Sequence, residues 1–477
     1  MNFKPIFLIA ILVLMSCDSK KIESIPDGVY ASIGYGRLIL IQDGSFQLFD
    51  VSSNWCDQRI NGFLKDFDNA LFIRDDTLNF KVGITNYQYL KMSHLPDICS
   101  KKYSYSELND PKFNFEVLEE TFSNNYAYFN LRKVNWDSLR IATRKEIDPL
   151  TTEIELYRIL KDMLNTFGDD HISLNAPENL QQTSDSLNIV EKTNSKTEIK
   201  KYDLFQVAKL IGDQYLQYKE YTKNSRFVRW GMINDQFGYI QINSMSAHAN
   251  LNISDTLSLE EFWREYENET ANMTVKEWEQ GELQGISEIM NKAIDDLWNT
   301  EAIVLDVRFN QGGQDLVAME IIRHFNNKRQ VGFTKKAKGV NDSYSPAQKI
   351  YLEGSNKAYT KPVLLLTSKQ TASAAEILVL SSLSLPTFTR LGANTRGIFS
   401  DELTKRLPIG WGFGLSNEIY LDRNGTNYEG VGISPDIDLG YPYTQQIFLK
   451  GFANAPAKDF EVVLHEINSI TDSIAGY

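Results

Sequence analysis

Apolar positions change their spacing several times along this chain, and each change marks a different kind of element. Over 27–100 they alternate with polar residues in short runs broken by turn signals. The segment YASIGYGRLILIQDGSFQLFDV holds two such runs around Asp43-Gly44, a pair that tolerates positive φ and so suits a hairpin turn. A small all-β domain over 27–104 is the expectation. Over 113–167 the period lengthens. Phe115, Leu118, Phe122 and Tyr126 share one helical face, while Leu156, Ile159, Leu160, Met163 and Leu164 share another that opens with a capping-box pair, Thr152 and Glu155. These faces predict a helical bundle over 105–176. Its last helix should stop at Gly168, leaving Asp169, Asp170 and His171 on a loop and Ile172 to open a strand.

The next stretch, 177–226, reads as a linker or surface excursion, because 178–201 is polar and low in aromatics. Residues 227–232 and 238–243 then read as a hairpin. The strongly charged stretch 255–282, with Trp263 and Trp278, reads as a solvated helix pair, or alternatively as a lid over a cleft. From Ile286 the pattern becomes helix (286–298), strand (302–307), helix (316–325) and later strand (363–366) then helix (374–380). Such alternation implies α/β layering, with a core over 227–447 and a C-terminal helix over 448–477.

Composition narrows the partners. With 477 residues, 42% hydrophobic and 12% aromatic, the chain has material for about three domains with real cores. A net charge of −13 without a long Lys/Arg run argues against a phosphate-binding surface, so nucleic acid is not an expected partner.

The N-terminus gives an address. Lys4 precedes an apolar run over 5–15, which falls short of the roughly 20 residues of a membrane span but suits a secretory signal over 1–16. The run ends LMSC and resembles the lipobox of bacterial lipoproteins, which implies lipidation at Cys17, a tether over 17–26 and a membrane-anchored place in the bacterial cell envelope, periplasmic or surface-exposed. The plain alternative is an ordinary signal peptide that happens to contain a cysteine. Export exposes Cys56 and Cys99 to oxidising chemistry, so a disulfide between them is expected, stabilising its loop by about 4 kcal/mol. The cysteines and the scattered histidines lack metal-ligand spacing, and no cofactor is implied.

Two strand-to-helix junctions can carry chemistry. Ser373 stands where an apolar strand gives way to a helix, whose first N–H groups lack intrahelical partners and can bind an anion forming beside the hydroxyl. Taken alone, Ser373 reads equally as an N-cap. Gly312 and Gly313 follow the strand bearing Asp306 and Arg308; paired glycines there let the backbone approach a ligand, or simply make a tight turn. A dinucleotide fingerprint needs three spaced glycines and is not met.

The runs VLDVRFNQGGQD, TSKQTASAAEIL and YEGVGISPDIDL, in this order, together with GDDHISL and VNWDSL, resemble the signature segments of the tail-specific or C-terminal processing serine peptidase family, in its tricorn-core branch, over 113–441. The resemblance implies a Clp protease/crotonase-like α/β core. It assigns Ser373 as nucleophile, three positions before Glu376, and His171 as general base, which a serine hydroxyl needs near neutral pH. It assigns Glu429 as the acid that orients the base, and Ala374 with Gly312 or Gly313 as the oxyanion hole. Two departures stand out. Ile398 occupies the place of the lysine that Ser/Lys members carry, leaving Lys405 as base only under a different alignment of the loop. Asp170 replaces a serine before the histidine and competes with Glu429 for the orienting role. His94, His248, His324 and His465 read as structural, and no PDZ-like pattern lies between bundle and core.

The expected protein is therefore an α/β multidomain serine-type endopeptidase acting on exported or unfolded polypeptides without a cofactor. Two rivals are a catalytically inactive peptide-binding lipoprotein on the same fold, motivated by Asp170 and Ile398, and glycan binding by the β domain over a degenerate core. Nothing in the pattern fixes an oligomeric state.

Overall fold

The computed structural model describes residues 25–67, 70–184, 201–222, 225–254 and 256–475; the signal segment and Cys17 lie outside them. Seven strands between Gly28 and Met92 form one antiparallel sheet, in the spatial order fourth, third, second, first, seventh, sixth, fifth. Its second and third strands, Arg37–Gln42 and Ser45–Val51, turn at Asp43 and Gly44, whose φ values of 50° and 75° meet the hairpin's demand. A Cys56–Cys99 disulfide ties the strand Cys56–Phe63 to the turn Asp97–Ser100 beyond the sheet.

Helices Pro111–Asn125, Trp136–Glu146 and Glu153–Asn165 follow, the last opened by a capping box at Thr152 and Glu155. They are not a self-contained bundle. Phe115, Phe122, Leu156 and Leu160 share one core with Trp411, Phe413 and Leu415, so the helices lie on a three-stranded sheet of Glu402–Arg406, Gly412–Ser416 and Ser173–Asn175. The apolar faces predict burial, but a partner so far along the chain leaves no mark in their spacing.

The main sheet has seven strands in the spatial order Ile437–Asp438, Phe388–Gly392, Val363–Thr367, Ala302–Asp306, Phe237–Ile242, Val228–Met232 and Lys219–Glu220. The first five run parallel, and the hairpin of the fifth and sixth adds an antiparallel edge. Ala302–Asp306 and Val363–Thr367 are buried at every position, as central strands covered on both faces must be. Helices Val275–Leu297, Asp315–Arg323 and Ala374–Ser382 cover one face; Leu204–Tyr215, Gln445–Asn454 and Pro456–Ala475 cover the other. The architecture is the expected α/β multidomain one.

Three stretches differ from their sequence reading. Within 177–226, Leu204–Tyr215 is no excursion: Leu204, Val207, Ala208, Ile211 and Tyr215 fall at helical spacing and pack on the main sheet, while polar residues on the outer face dilute the average. In the charged stretch, the helix Val275–Leu297 starts eleven positions before Ile286 and carries the fully buried Glu282, so the pair is not simply solvated. The C-terminus is two helices, because Pro456 opens a new one at its first position.

Charge pins the pieces together. Arg308, fully buried, joins Asp306 at 2.6 Å to Asp459 of the last helix at 2.8 Å. Lys405 Nζ reaches out of the core to Asp50 Oδ1 (2.7 Å) and the carbonyls of Tyr35 and Gly36 (both 2.8 Å) in the β domain. Lys335 Nζ meets Thr85 Oγ1 (2.6 Å) and Glu418 Oε2 (2.7 Å), and Tyr35 OH donates to Glu418 Oε1 at 2.6 Å.

Candidate active site

The strand Val363–Thr367 ends in a loop stitched to its parallel neighbour. Ser368 Oγ donates to Arg308 O (2.6 Å), Thr371 Oγ1 to Val307 O (2.9 Å), and Ala372 N to Asn310 O (3.1 Å). Ser373 follows at φ 53°, ψ −127°, immediately before the helix Ala374–Ser382, and its side chain makes no capping bond. The N-cap reading therefore fails. A non-glycine residue in such a conformation costs about 1–3 kcal/mol and persists only where its surroundings impose it. The residue is partly exposed, and its hydroxyl bonds to no described group. Glu376, one turn on, is fully buried and accepts from Gly397 N (2.7 Å) and Ile398 N (2.8 Å); burial pushes its carboxyl up to about 7.

Opposite lie the paired glycines, at φ 108° and 140°. A β-carbon on Gly312 would stand 2.7 Å from Ser373 Cβ and 3.0 Å from Ala374 N, and one on Gly313 would stand 2.6 Å from the Met245 carbonyl carbon. Only glycine fits at either place. Their roles separate, however, because Gly312 N already donates to Asn310 Oδ1 at 2.8 Å. The N–H groups of Gly313 and Ala374 donate to no described group. Of the two glycines, Gly313 has the free donor, while Gly312 provides room.

The histidine loop is held from elsewhere. Asp169 is buried and accepts from Tyr126 OH (2.8 Å), Ser416 Oγ (3.2 Å) and the backbone N of His171 (3.0 Å). Arg132, on the turn before Trp136–Glu146, donates to Gly168 O (2.9 Å) and Glu429 Oε1 (3.0 Å) and lies 3.7 Å from Asp169 Oδ1. Glu429 Oε2 accepts from Phe399 N (2.8 Å) and Ser400 N (3.2 Å). Burial, then the Asp169 charge, push the Glu429 carboxyl up to about 8 against the pull of these donors and Arg132.

Asp170 faces the other way, its Oδ2 accepting from Arg396 Nε at 2.7 Å. Arg396 N in turn donates to Thr371 O (2.8 Å), and Lys369 Nζ donates to Thr395 O (3.0 Å) and Arg396 O (2.9 Å). Asp170 thus links the histidine loop to the loop that carries Ser373, and it makes no described bond to the imidazole. The His171 ring bonds neither to Ser373 Oγ nor to any other described group, and its Nδ1 is buried without a partner. Lys405 is spent on the β domain, held by Asp50 and two carbonyls, and makes no described bond to Ser373. Sequence reasoning missed Asp169, Arg132 and Arg396. The doublet Asp169-Asp170 offered no sign of which carboxylate turns inward, and the two arginines carry no motif.

The fold and this strand–turn–helix site define a class. Residues 236–439, within the core, match the family model Peptidase family S41, and residues 109–165 match Tricorn protease C1 domain. More particularly, the chain is 29% identical over 170 residues to Carboxyl-terminal-processing peptidase 2, chloroplastic, of Arabidopsis thaliana, covering 35% of this chain and 32% of that protein. It is 28% identical over 143 residues to the carboxy-terminal-processing protease of Bartonella bacilliformis, covering 30% and 32%. The chain thus spans about a third of the length of the curated relatives it matches. The crystal structure of a candidate peptidase from Parabacteroides merdae shares the fold at 22% identity and a TM-score of 0.51, covering 70% of this chain and 91% of that one.

Proposed function

We propose that this chain is a serine-type endopeptidase that hydrolyses peptide bonds of exported or unfolded polypeptides, with Ser373 as nucleophile and His171 as its base. The observation that carries the reading is Ser373 at φ 53° beside two unclaimed donors, the N–H groups of Gly313 and Ala374. Ser373 Oγ attacks the carbonyl carbon while His171 takes its proton, and the oxyanion forms toward those two donors. Removing one such donor costs about 3 kcal/mol in the barrier. Collapse expels the amine, which takes the proton from His171; water then repeats the attack and releases the acid. Because the ring and Oγ are not bonded here, the reading requires them to close on substrate, as catalytic hydrogen bonds often do. Glu429 and Asp169, bridged by Arg132, hold the loop on which the ring rides.

The unbonded His171 ring also favours a second reading, a peptide-binding protein on the same fold without turnover. A fluorophosphonate probe separates the two: labelling at Ser373, and loss of cleavage of unfolded polypeptide by about 10⁴-fold or more in Ser373→Ala, supports the peptidase. Tight peptide binding with no labelling supports the binder.

We further infer attachment to the cell-envelope membrane through lipid on Cys17, since the LMSC run ends a signal-like segment. Globomycin-insensitive processing, or a Cys17→Ala protein that stays in the membrane fraction, would overturn it.

A further inference from the structure

Beyond Gly313 lies a cavity of about 510 Å³, walled by the loop at 247–254 and by the helices Leu259–Thr270 and Val275–Leu297. It begins where the glycine loop ends. Met245 N donates to Gly312 O at 2.9 Å, and Gln314 N to Met245 O at 2.8 Å, so the two segments run side by side. Ser246 presses against Gly313, and the next residue, Ala247, already belongs to the cavity wall. An extended chain advances about 3.3 Å per residue, so a polypeptide held at the Gly313 N–H reaches the cavity mouth within one or two residues.

The wall is a built feature. Glu282, fully buried, accepts from His248 N (3.0 Å), Ala249 N (3.3 Å) and the Tyr266 hydroxyl, which fastens the loop to both helices. Trp278 Nε1 donates to the same hydroxyl at 2.7 Å. Ala247 takes φ 65°, a conformation its β-carbon disfavours and its surroundings must impose.

Charges of both signs stand on the cavity wall: Glu288 is exposed there and accepts from Gln284 Nε2 at 2.9 Å. Arg226 donates to Leu257 O at 2.6 Å and stacks 4.6 Å from the Phe262 ring centre. Glu282 holds its three donors, and His248, whose Nε2 lies 3.1 Å from Ser244 O, is kept neutral near pH 7 by burial. Phe227, Phe262 and Ile289 supply apolar surface. An acidic occupant would lie near Glu288 and a basic one near Arg226, whereas a neutral ring would meet the aromatic walls of Phe227 and Phe262 and escape water.

Resting on the peptidase reading, we propose that this cavity is a side-chain subsite of the centre, selecting polypeptides with a bulky, uncharged, aromatic side chain one or two residues from the scissile bond. The full chain is tested on fluorogenic peptides carrying Phe, Ala, Asp or Lys at one position at a time. At one position within two residues of the cleaved bond, Phe should exceed each of the others by about tenfold or more in kcat/KM. Ile289→Trp, filling the cavity from the helix, and Asn250→Trp, filling it from the rim, should each cut the Phe-to-Ala ratio by about tenfold. The two approach from separate sides, so one remains informative if the other misfolds. A flat profile in a protein that cleaves peptides, or an unchanged ratio in either folded variant, overturns the subsite alone. Absence of all cleavage together with absence of fluorophosphonate labelling overturns the peptidase reading, and the subsite with it.

Discussion

Ser373 sits on a turn between a fully buried strand of the main sheet and a fully buried helix, held by hydroxyl and backbone bonds to the segment that follows the neighbouring strand. His171 sits on a loop assembled from pieces: Tyr126 and Arg132 come from the helical segment, Ser416 from the small sheet, Glu429 and Arg396 from separate loops. A parallel sheet covered on both faces can over-determine a strained residue, because every neighbour is itself fixed. A loop held by charges that cross between modules cannot store strain in that way, and the His171 ring on it waits unbonded. The Ser373 side is thus preorganised, and the His171 side is positioned by electrostatics.

The sharpest way to break this contrast is on the nucleophile side. Gly312→Ala forces a β-carbon to 2.7 Å from Ser373 Cβ at a φ of 108°, so cleavage and fluorophosphonate labelling should both fall by about 100-fold or more. Labelling at the wild-type rate would show that the turn is not over-determined. On the base side, Arg132→Met leaves Glu429 and Asp169 buried without their counter-charge and should lower stability by about 3 kcal/mol in urea titration. Asp170→Asn cuts an ion pair that is largely exposed and should cost under about 1 kcal/mol. Equal losses would mean that the buried charges do not hold the loop.

The mildest test is pH. Folding raises the Glu376 carboxyl from 4.5 to about 7, so the folded chain binds this proton more tightly than the unfolded one. Its contribution is complete below pH 4.5 and is lost as pH rises through about 7, an effect of up to about 3 kcal/mol. Urea midpoints of the wild type should therefore decline more steeply between pH 4.5 and 7 than those of Glu376→Gln. Parallel slopes would remove Glu376 as a titrating anchor of the 397–398 turn.

Legibility in the sequence follows the same divide. The junctions at Gly312-Gly313 and Ser373 are local, and an apolar run, small residues and a helix announce them within a dozen positions. The base side depends on contacts with no local trace: Arg132 meets Glu429 297 positions away, and Asp170 meets Arg396 226 positions away. The first of two identical aspartates turns inward because Tyr126 and Ser416 offer it donors, a fact written nowhere near Asp169. The helix Leu204–Tyr215 escaped for a different reason, since its apolar stripe is real but sits beside a long polar stretch that masks it.

The two lysines that clasp the β domain give that domain a status its sequence did not suggest. Strip away residues before Ser104, and Lys405 loses Asp50 with both carbonyls while Lys335 loses the Thr85 hydroxyl. The remainder would be no smaller version of the same molecule. It would carry a raw face on which the Lys405 ammonium is orphaned while Lys335 keeps Glu418 and the Tyr420 hydroxyl, a face that water must flood or the surrounding strands must abandon. The sheet therefore works less as an appendage than as a stopper, and a shortened chain would begin life with its side open.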